Sequence, residues 1–374
     1  MKFRPRRWSR VVVIGSVLVT TAAAVALPAS GASTTNVNVV GYSVVGPALK
    51  AEETAFQATS AGQNVTFTNS IGASDTETTN VVNGLAADVV NLSYYTNMAT
   101  LVQANHVPAN WANQETSIAG VNPRLKGAQA QTTYPTPGMV TDSTVVFIVR
   151  AGNPLGITKW SQLTGNGVQI VTPNPATSGS AKWNLLAAYA AWIATKHTPD
   201  QAQNFLKSII EHTVAQPPSG STALSTFLAG TGNVLLDYED DAIAAVKVGD
   251  GIQVVVPPQT LLIENPLALT YTGLQNPAAV AFYKFLFSVQ GQTIFGSLGY
   301  RPVLKSVWAD TDTDFPEFQT KTTLLTVVNL SGYGWPAIEP KFFGLNVTFP
   351  KNDPTHPETG IVTYLEQFAG QASQ

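Results

Sequence analysis

Between residues 36 and 93 short apolar runs alternate with helix-like ones, and this order constrains the fold more than any other feature of the chain. Residues 36–40 read as a strand, followed by a turn at Gly41, Tyr42 and Ser43. Pro47 then opens a helix over 47–59, since its fixed φ suits the first helical position. A second strand over 65–68 leads through a polar turn into a helix over 76–85, for which Ser74 or Asp75 is the expected cap. Residues 88–93 form a third strand. Strand, helix, strand, helix, strand in this order predicts a parallel sheet with helices on both faces. Ligands of such sheets bind beyond the carboxyl ends of the strands, where these turns lie.

The same grammar returns after a long polar, proline-bearing connection at 105–138. Residues 143–150 (S-T-V-V-F-I-V-R) are the most apolar strand of the chain. A second α/β unit follows, with a short helix at 160–163, strands at 168–171, 233–236 and 252–256, and helices at 185–194 and 199–211. An apolar helix covers 276–288, and the tail after Trp308 is rich in aromatics and prolines, with a strand expected at 324–328. Two α/β units joined through long apolar strands predict an α/β protein of two lobes with a cleft between them.

The stretch 172–184, T-P-N-P-A-T-S-G-S-A-K-W-N, sits at one of these strand-to-helix turns. Pro173 and Pro175 force an extended loop. Thr177, Ser178, Gly179 and Ser180 then precede a helical run. The first N–H groups of a helix lack partners and the positive end of its dipole points outward. Glycine lets the backbone come close to a ligand, and hydroxyls add donors, so the stretch reads as an anion cradle. On this stretch alone, the plainer reading is an ordinary N-cap, since Ser and Thr cap most helices.

Composition narrows the partners. The chain has 374 residues, 44% hydrophobic and only 11% charged, against roughly 25% charged in an average soluble domain. A net charge of −3 without basic runs beyond the N-terminus argues against nucleic acid. With no cysteine, disulfides, thiolate metal sites and cysteine nucleophiles are excluded. Lys2, Arg4, Arg6, Arg7 and Arg10 precede an apolar run at 11–27, and small residues follow Pro28. This has the form of a secretory signal peptide over residues 1–32, with a retained anchor as the alternative. Export to the periplasm or the cell exterior follows.

Catalysis needs a positioned base or metal. His106, His197, His212 and His356 show no metal-ligand spacing. Asp237, Glu239, Asp240 and Asp241 follow a strand and admit two readings: a cation or acid/base site, or a helix N-terminus enriched in acids. No G-x-S-x-G elbow and no phosphate loop occurs. A binding protein without chemistry and without cofactor is expected, and a secreted hydrolase using the acids of 237–241 is the alternative.

Several segments resemble the sulfate- and thiosulfate-binding proteins of bacterial ABC importers, a branch of the two-lobed periplasmic binding proteins. They are V-N-G-L-A-A-D-V-V (82–90), S-T-V-V-F-I-V-R-A-G-N-P (143–154), V-T-P-N-P-A-T-S-G-S-A-K-W-N (171–184), G-N-V-L-L-D-Y-E-D (232–240), S-V-Q-G-Q (288–292) and Tyr300-Arg301-Pro302. Gly332 to Trp335 answer to a G-G-W of that family. The resemblance implies a type II two-lobed fold, with 33–146 and 262–374 as one lobe and 147–261 as the other. It implies a monomer that holds a desolvated dianion on backbone N–H groups and a few side-chain donors. Carried over, the donors are the hydroxyl and N–H of Ser178, the N–H groups of Gly179 and Ser180, Ser74 from the first lobe, and Gly220 from a loop of the second. Ser43 lies at the first turn, and Tyr238 stands where the family has a tryptophan that donates. Asp75 replaces a small residue. It either enters the cleft and selects a protonated anion, or caps its helix outward. Sulfate is the implied ligand, with thiosulfate, phosphate or molybdate as alternatives. An ABC permease and its ATPase are the implied partners, and the lobes are expected to hinge through 144–149 and 261–269.

Overall fold

The computed structural model describes residues 34–115, 117, 137–304, 306–308, 315, 322–344 and 359–373. The predicted signal segment and most of the connection at 105–138 lie outside these residues.

The opening order is as expected. β1 (Thr35–Tyr42), α1 (Gly46–Gln57), β2 (Val65–Gly72), α2 (Ser74–Val82) and β3 (Val89–Asn91) follow one another, and α3 (Tyr95–Gln103) closes the unit. β1 pairs in parallel with β2 on one side and β3 on the other. The cap of α2 differs from expectation: Ala73 is the N-cap, without a side-chain bond, and Ser74 and Asp75 are the first helical residues.

Two long strands organise the rest. β4 (Met139–Arg150) and β9 (Gln259–Leu269) are antiparallel to each other, β9 is antiparallel to β3, and β4 runs antiparallel to the strands of the second half, so the sheet is mixed rather than parallel throughout. Residues 139–144 of β4 pair with β9. From Val145 onward β4 pairs instead with β7 (Val234–Tyr238), and from Phe147 also with β8 (Ile252–Val255). β7 continues the sheet in parallel with β5 (Ile170–Val171), and β5 with β6 (Thr213–Ala215). β4 therefore belongs to both halves of the molecule and changes partners at Thr144/Val145. Its apolar run is explained by burial on both faces. Val145, Phe147 and Val149 enter one core, with Trp160 and Leu186, while Val146 and Ile148 enter another, with Val171 and Phe227.

The helices of the second half are α4 (Gly179–Ala194), α5 (Pro199–Glu211), α6 (Gly220–Leu228) and α7 (Glu239–Val248). α4 starts six residues before the expected 185, because the cradle residues are its first turn; from Gly179 to Ala191 every residue is buried. α5 carries a capping box between Thr198 and Gln201, with Pro199 at its start. α7 begins with the three acids Glu239, Asp240 and Asp241 and ends where Gly249 takes φ +83°. The chain returns through β9, α8 (Tyr271–Gln275), α9 (Pro277–Leu286), α10 (Val289–Ser297) and β10 (Arg301–Pro302). In the tail, the strand expected at 324–328 is shorter: β11 (Thr323–Leu325) gives way to α11 (Val327–Ser331), because Thr326 and Asn329 form a capping box. α12 (Trp335–Phe343) and α13 (Ile361–Leu365) follow. Among the described residues no helix is long and apolar enough to cross a membrane.

Candidate functional site

Several strand-to-helix turns converge where β4 changes partners. The loop entering α4 is wound around Asn174, whose carbonyl accepts from the N–H groups of Thr177 (3.2 Å) and Ser178 (2.9 Å). Its side chain accepts from Ala176 N–H at 2.8 Å. The loop is tied to the one entering α6 by Asn174 N–H to Pro217 O at 2.8 Å and Thr177 Oγ1 to Pro218 O at 2.8 Å. Both helices therefore present their first residues to the same place. A side chain on Gly179 would stand 2.6 Å from Ser93 Cβ and 2.7 Å from Tyr94 Cδ1. One on Gly220 would stand 2.9 Å from Val44 Cγ2 and 3.1 Å from Ser180 Oγ. Glycine suits both positions because the backbone passes this close to neighbouring side chains.

The residues carried over as anion donors are linked to one another around this place. Ser43 begins a 3₁₀ turn (Ser43–Val45), and its Oγ accepts from Ser221 N–H at 3.4 Å. Ser178 and Ser180 are buried and share one hydroxyl–hydroxyl bond of 2.8 Å, so one of the two protons remains to be given to a ligand. The expected N–H donation by Ser178 does not hold, since that N–H is bonded to Asn174 O. Ser74 Oγ donates to Asn97 Oδ1 (2.7 Å) and accepts from Ser93 N–H (2.9 Å). Its hydroxyl proton is thereby engaged, and its own N–H, at the first position of α2, is what it offers. Gly220 does not lie in a loop: it opens α6 behind the capping Ser219. Tyr238 is fully buried at the end of β7, with its hydroxyl 2.8 Å from Ser93 Oγ. Burial pushes its pKa well up, so the phenol stays protonated.

Asp75 neither caps α2 nor stands free as an acceptor. Its Oδ1 accepts from Tyr94 OH (3.0 Å) and Asn97 Nδ2 (2.7 Å), and its Oδ2 pairs with Lys182 Nζ at 3.0 Å. Lys182 also reaches Tyr94 OH (2.6 Å) and Glu339 Oε1 (2.8 Å). Burial opposes its charge, but Asp75 and Glu339 carry its pKa up. Trp335 packs between Tyr94 and Trp183, 4.7 and 4.8 Å between ring centroids.

The sequence reading missed Ser93. Its N–H, hydroxyl and carbonyl meet Ser74, Tyr238, and the side chains of Trp183 (3.0 Å) and Asn265 (3.1 Å). Its position just past a parallel strand was the available signal. It missed the Lys182 group as well, for which a lone cation in an alanine-rich helix was the only hint.

Three helices, α2, α4 and α6, thus start at one buried spot. The N–H groups of Ser74, Gly179, Ser180 and Gly220 are first or second in their helices, where no carbonyl of the same helix reaches them. Lys182, the cation beside them, is already paired. The arrangement suits a desolvated anion that only accepts hydrogen bonds. Of the acids at 237–241, Glu239, Asp240 and Asp241 form the first turn of α7, as one of the two readings had it, while Asp237 lies in β7. Asp237, Glu239 and Asp240 are buried, Glu239 is paired with Arg301 (2.7 Å), and Asp240 accepts from Ser143. They belong to the packed interior.

A family model described as bacterial extracellular solute-binding protein matches residues 37–301. The sulfate-binding protein of Synechococcus elongatus is 34% identical over 295 residues, covering 78% of this chain and 77% of its own. The thiosulfate-binding protein of Pseudomonas aeruginosa is 30% identical over 289 residues, 74% of this chain and 81% of its own. Among solved structures, the sulfate-binding protein SubI from Mycobacterium tuberculosis aligns with a TM-score of 0.73 at 37% identity, over 83% of this chain and 100% of that one.

Proposed function

The chain belongs to the bacterial extracellular solute-binding proteins, and from that premise we propose that it captures sulfate outside the cytoplasm and hands it to the permease and ATPase of an ABC importer. The observation that carries the reading is the convergence of α2, α4 and α6 on one buried spot beside a cation that is already paired. The binding set is Ser43, Ser74 by its N–H, the Ser178/Ser180 hydroxyl pair, the N–H groups of Gly179, Ser180 and Gly220, and Tyr238. No covalent step is needed. Sulfate only accepts hydrogen bonds, whereas phosphate keeps a proton that would face a donor, at a cost of ~1–3 kcal/mol. The lobes are 33–146 with 262–374, and 147–261. They close by bending where β4 and β9 cross between them. The chain acts as a monomer.

Calorimetric titration of the anion-free protein with sulfate and then phosphate tests this. Sulfate binding with phosphate about five- to a hundredfold weaker is expected from that cost. Absence of sulfate binding would sink the reading. Thiosulfate is the second reading, favoured by the likeness to the P. aeruginosa protein. Competition of thiosulfate against bound sulfate ranks the two.

A further inference from the structure

Behind Tyr238 lies a group of carboxyls that anion binding itself does not use. Asp237 is in β7, and Glu239, Asp240 and Asp241 open α7. Asp237, Glu239 and Asp240 are no more than 1% exposed. Glu239 has Arg301 of β10 as its counter-ion. Asp142 of β4 stands opposite Arg301 in the β4–β10 ladder. Among the described residues no cation faces Asp237, Asp240 or Asp241. Besides the neighbouring Glu239, what faces Asp240 is polar but neutral: Ser143 of β4, Tyr42 at the end of β1, Tyr238 of β7, and Tyr300 just before β10. β8, the other strand packed on α7, is Ile-Gln-Val-Val and adds no charge. Asp237 Oδ1 accepts from Tyr238 N–H at 2.8 Å. Asp237 Oδ2 and Asp241 Oδ2 are buried and meet no donor among the described residues.

Three acids so placed cannot all be ionised. Burial, with repulsion from neighbouring acids of the group, pushes Asp237 and Asp241 well up, and burial with the charge of Glu239 pushes Asp240 to about 7. The group therefore shares protons near neutral pH, and any further negative charge nearby draws in more. The proposed anion site is one side chain away. Tyr238 lies between Asp237 and Glu239 in the chain, and Tyr42, whose ring centroid is 6.3 Å from that of Tyr238, directly precedes Ser43.

Resting on the reading of that site as a dianion cradle, we propose that the Asp237, Asp240 and Asp241 carboxyls take up a proton when the oxyanion binds, so that the cargo is captured as a dianion together with a proton. The proton comes from solvent and converts one carboxylate to its acid; no other bond changes. By linkage, whatever raises proton affinity on anion binding makes anion binding tighter as pH falls.

The test is titration of the full chain with sodium sulfate at pH 7 in two sulfate- and phosphate-free buffers of different ionisation enthalpy, repeated at pH 6 and 8. Heats that differ between buffers in the sense of proton uptake are expected. So is a dissociation constant that weakens several-fold from pH 6 to 8, the linkage limit being about tenfold per pH unit for one proton. Asp240→Asn keeps an acceptor for Ser143 and should flatten both responses, with Asp237→Asn as a second variant. Wild-type sulfate binding with buffer-independent heat and no pH trend overturns the proposal and leaves the cradle standing. Uptake that persists undiminished in both variants overturns the assignment to these carboxyls. No sulfate binding at any of the three pH values overturns the cradle itself.

Discussion

Gly179 leaves no space for a side chain, since the start of α4 passes over Ser93 and Tyr94 with 2.6 and 2.7 Å to the position a Cβ would take. Gly179→Ala must push these two apart, and both hold groups of the proposed site in register. Overpacking of this kind costs ~1–3 kcal/mol. Sulfate affinity is therefore expected to fall about tenfold or more, measured by calorimetry, with the fold retained in circular dichroism. Glu52 on α1 poses a different problem. It is fully buried, and neither carboxyl oxygen meets a donor among the described residues. Burial pushes its pKa to about 9. The unfolded chain loses this proton near the ordinary carboxylate value, while the folded chain keeps it. Its contribution is therefore complete in acid and is lost as pH rises toward 9, by about 1.4 kcal/mol per pH unit. Glu52→Met should raise the thermal midpoint at pH 8 and leave that at pH 4 nearly unchanged.

At the level of elements, the junction of α2, α4 and α12 turns on Lys182. Its side chain is 8% exposed, between those of Asp75 at 20% and Glu339 at 22%. Removing it leaves two carboxylates facing each other in a poorly solvated place. Lys182→Met is expected to destabilise the fold by about 3 kcal/mol, read from urea unfolding, because a buried pair broken from one side leaves an uncompensated charge. Asp75 and Lys182 join the two proposed lobes, as does the bond from Asp75 N–H to Thr177 O. Stopped-flow measurement should accordingly show faster sulfate release from Glu339→Gln, which weakens the cluster without unpairing Asp75.

For the molecule as a whole, β4 pairs with strands of both halves of the sheet and β9 lies beside it where the chain returns, so relative motion of the proposed halves passes through these two strands. The change of partners at Thr144/Val145 puts the bend beside the site. Saturating sulfate is expected to lower the radius of gyration in small-angle scattering. An identical scattering curve with and without sulfate would show that the halves do not move.

Much of this was legible in the chain because it is local. Strand and helix alternate through residues 35–91 nearly as the apolar pattern prescribes, and a hydroxyl–glycine cluster between a strand and a helix is an N-terminal turn whatever surrounds it. The start of α4 escaped because a helix buried all round carries no amphipathic period across Lys182, Trp183 and Asn184. Other features depended on residues far apart in sequence. Asp75 looked like a cap until Lys182, Tyr94 and Asn97 were found around it, and Glu339 reaches Lys182 from 157 positions away. Ser93 became the centre of the site only when the folded chain brought Ser74, Tyr238, Trp183 and Asn265 to it. Periodicity and turn chemistry by themselves determined the elements and the character of the cradle. Which hydroxyl protons are free, and which acids lie buried behind Tyr238, was decided by tertiary packing, because solvation and hydrogen-bond partners belong to neighbours in space.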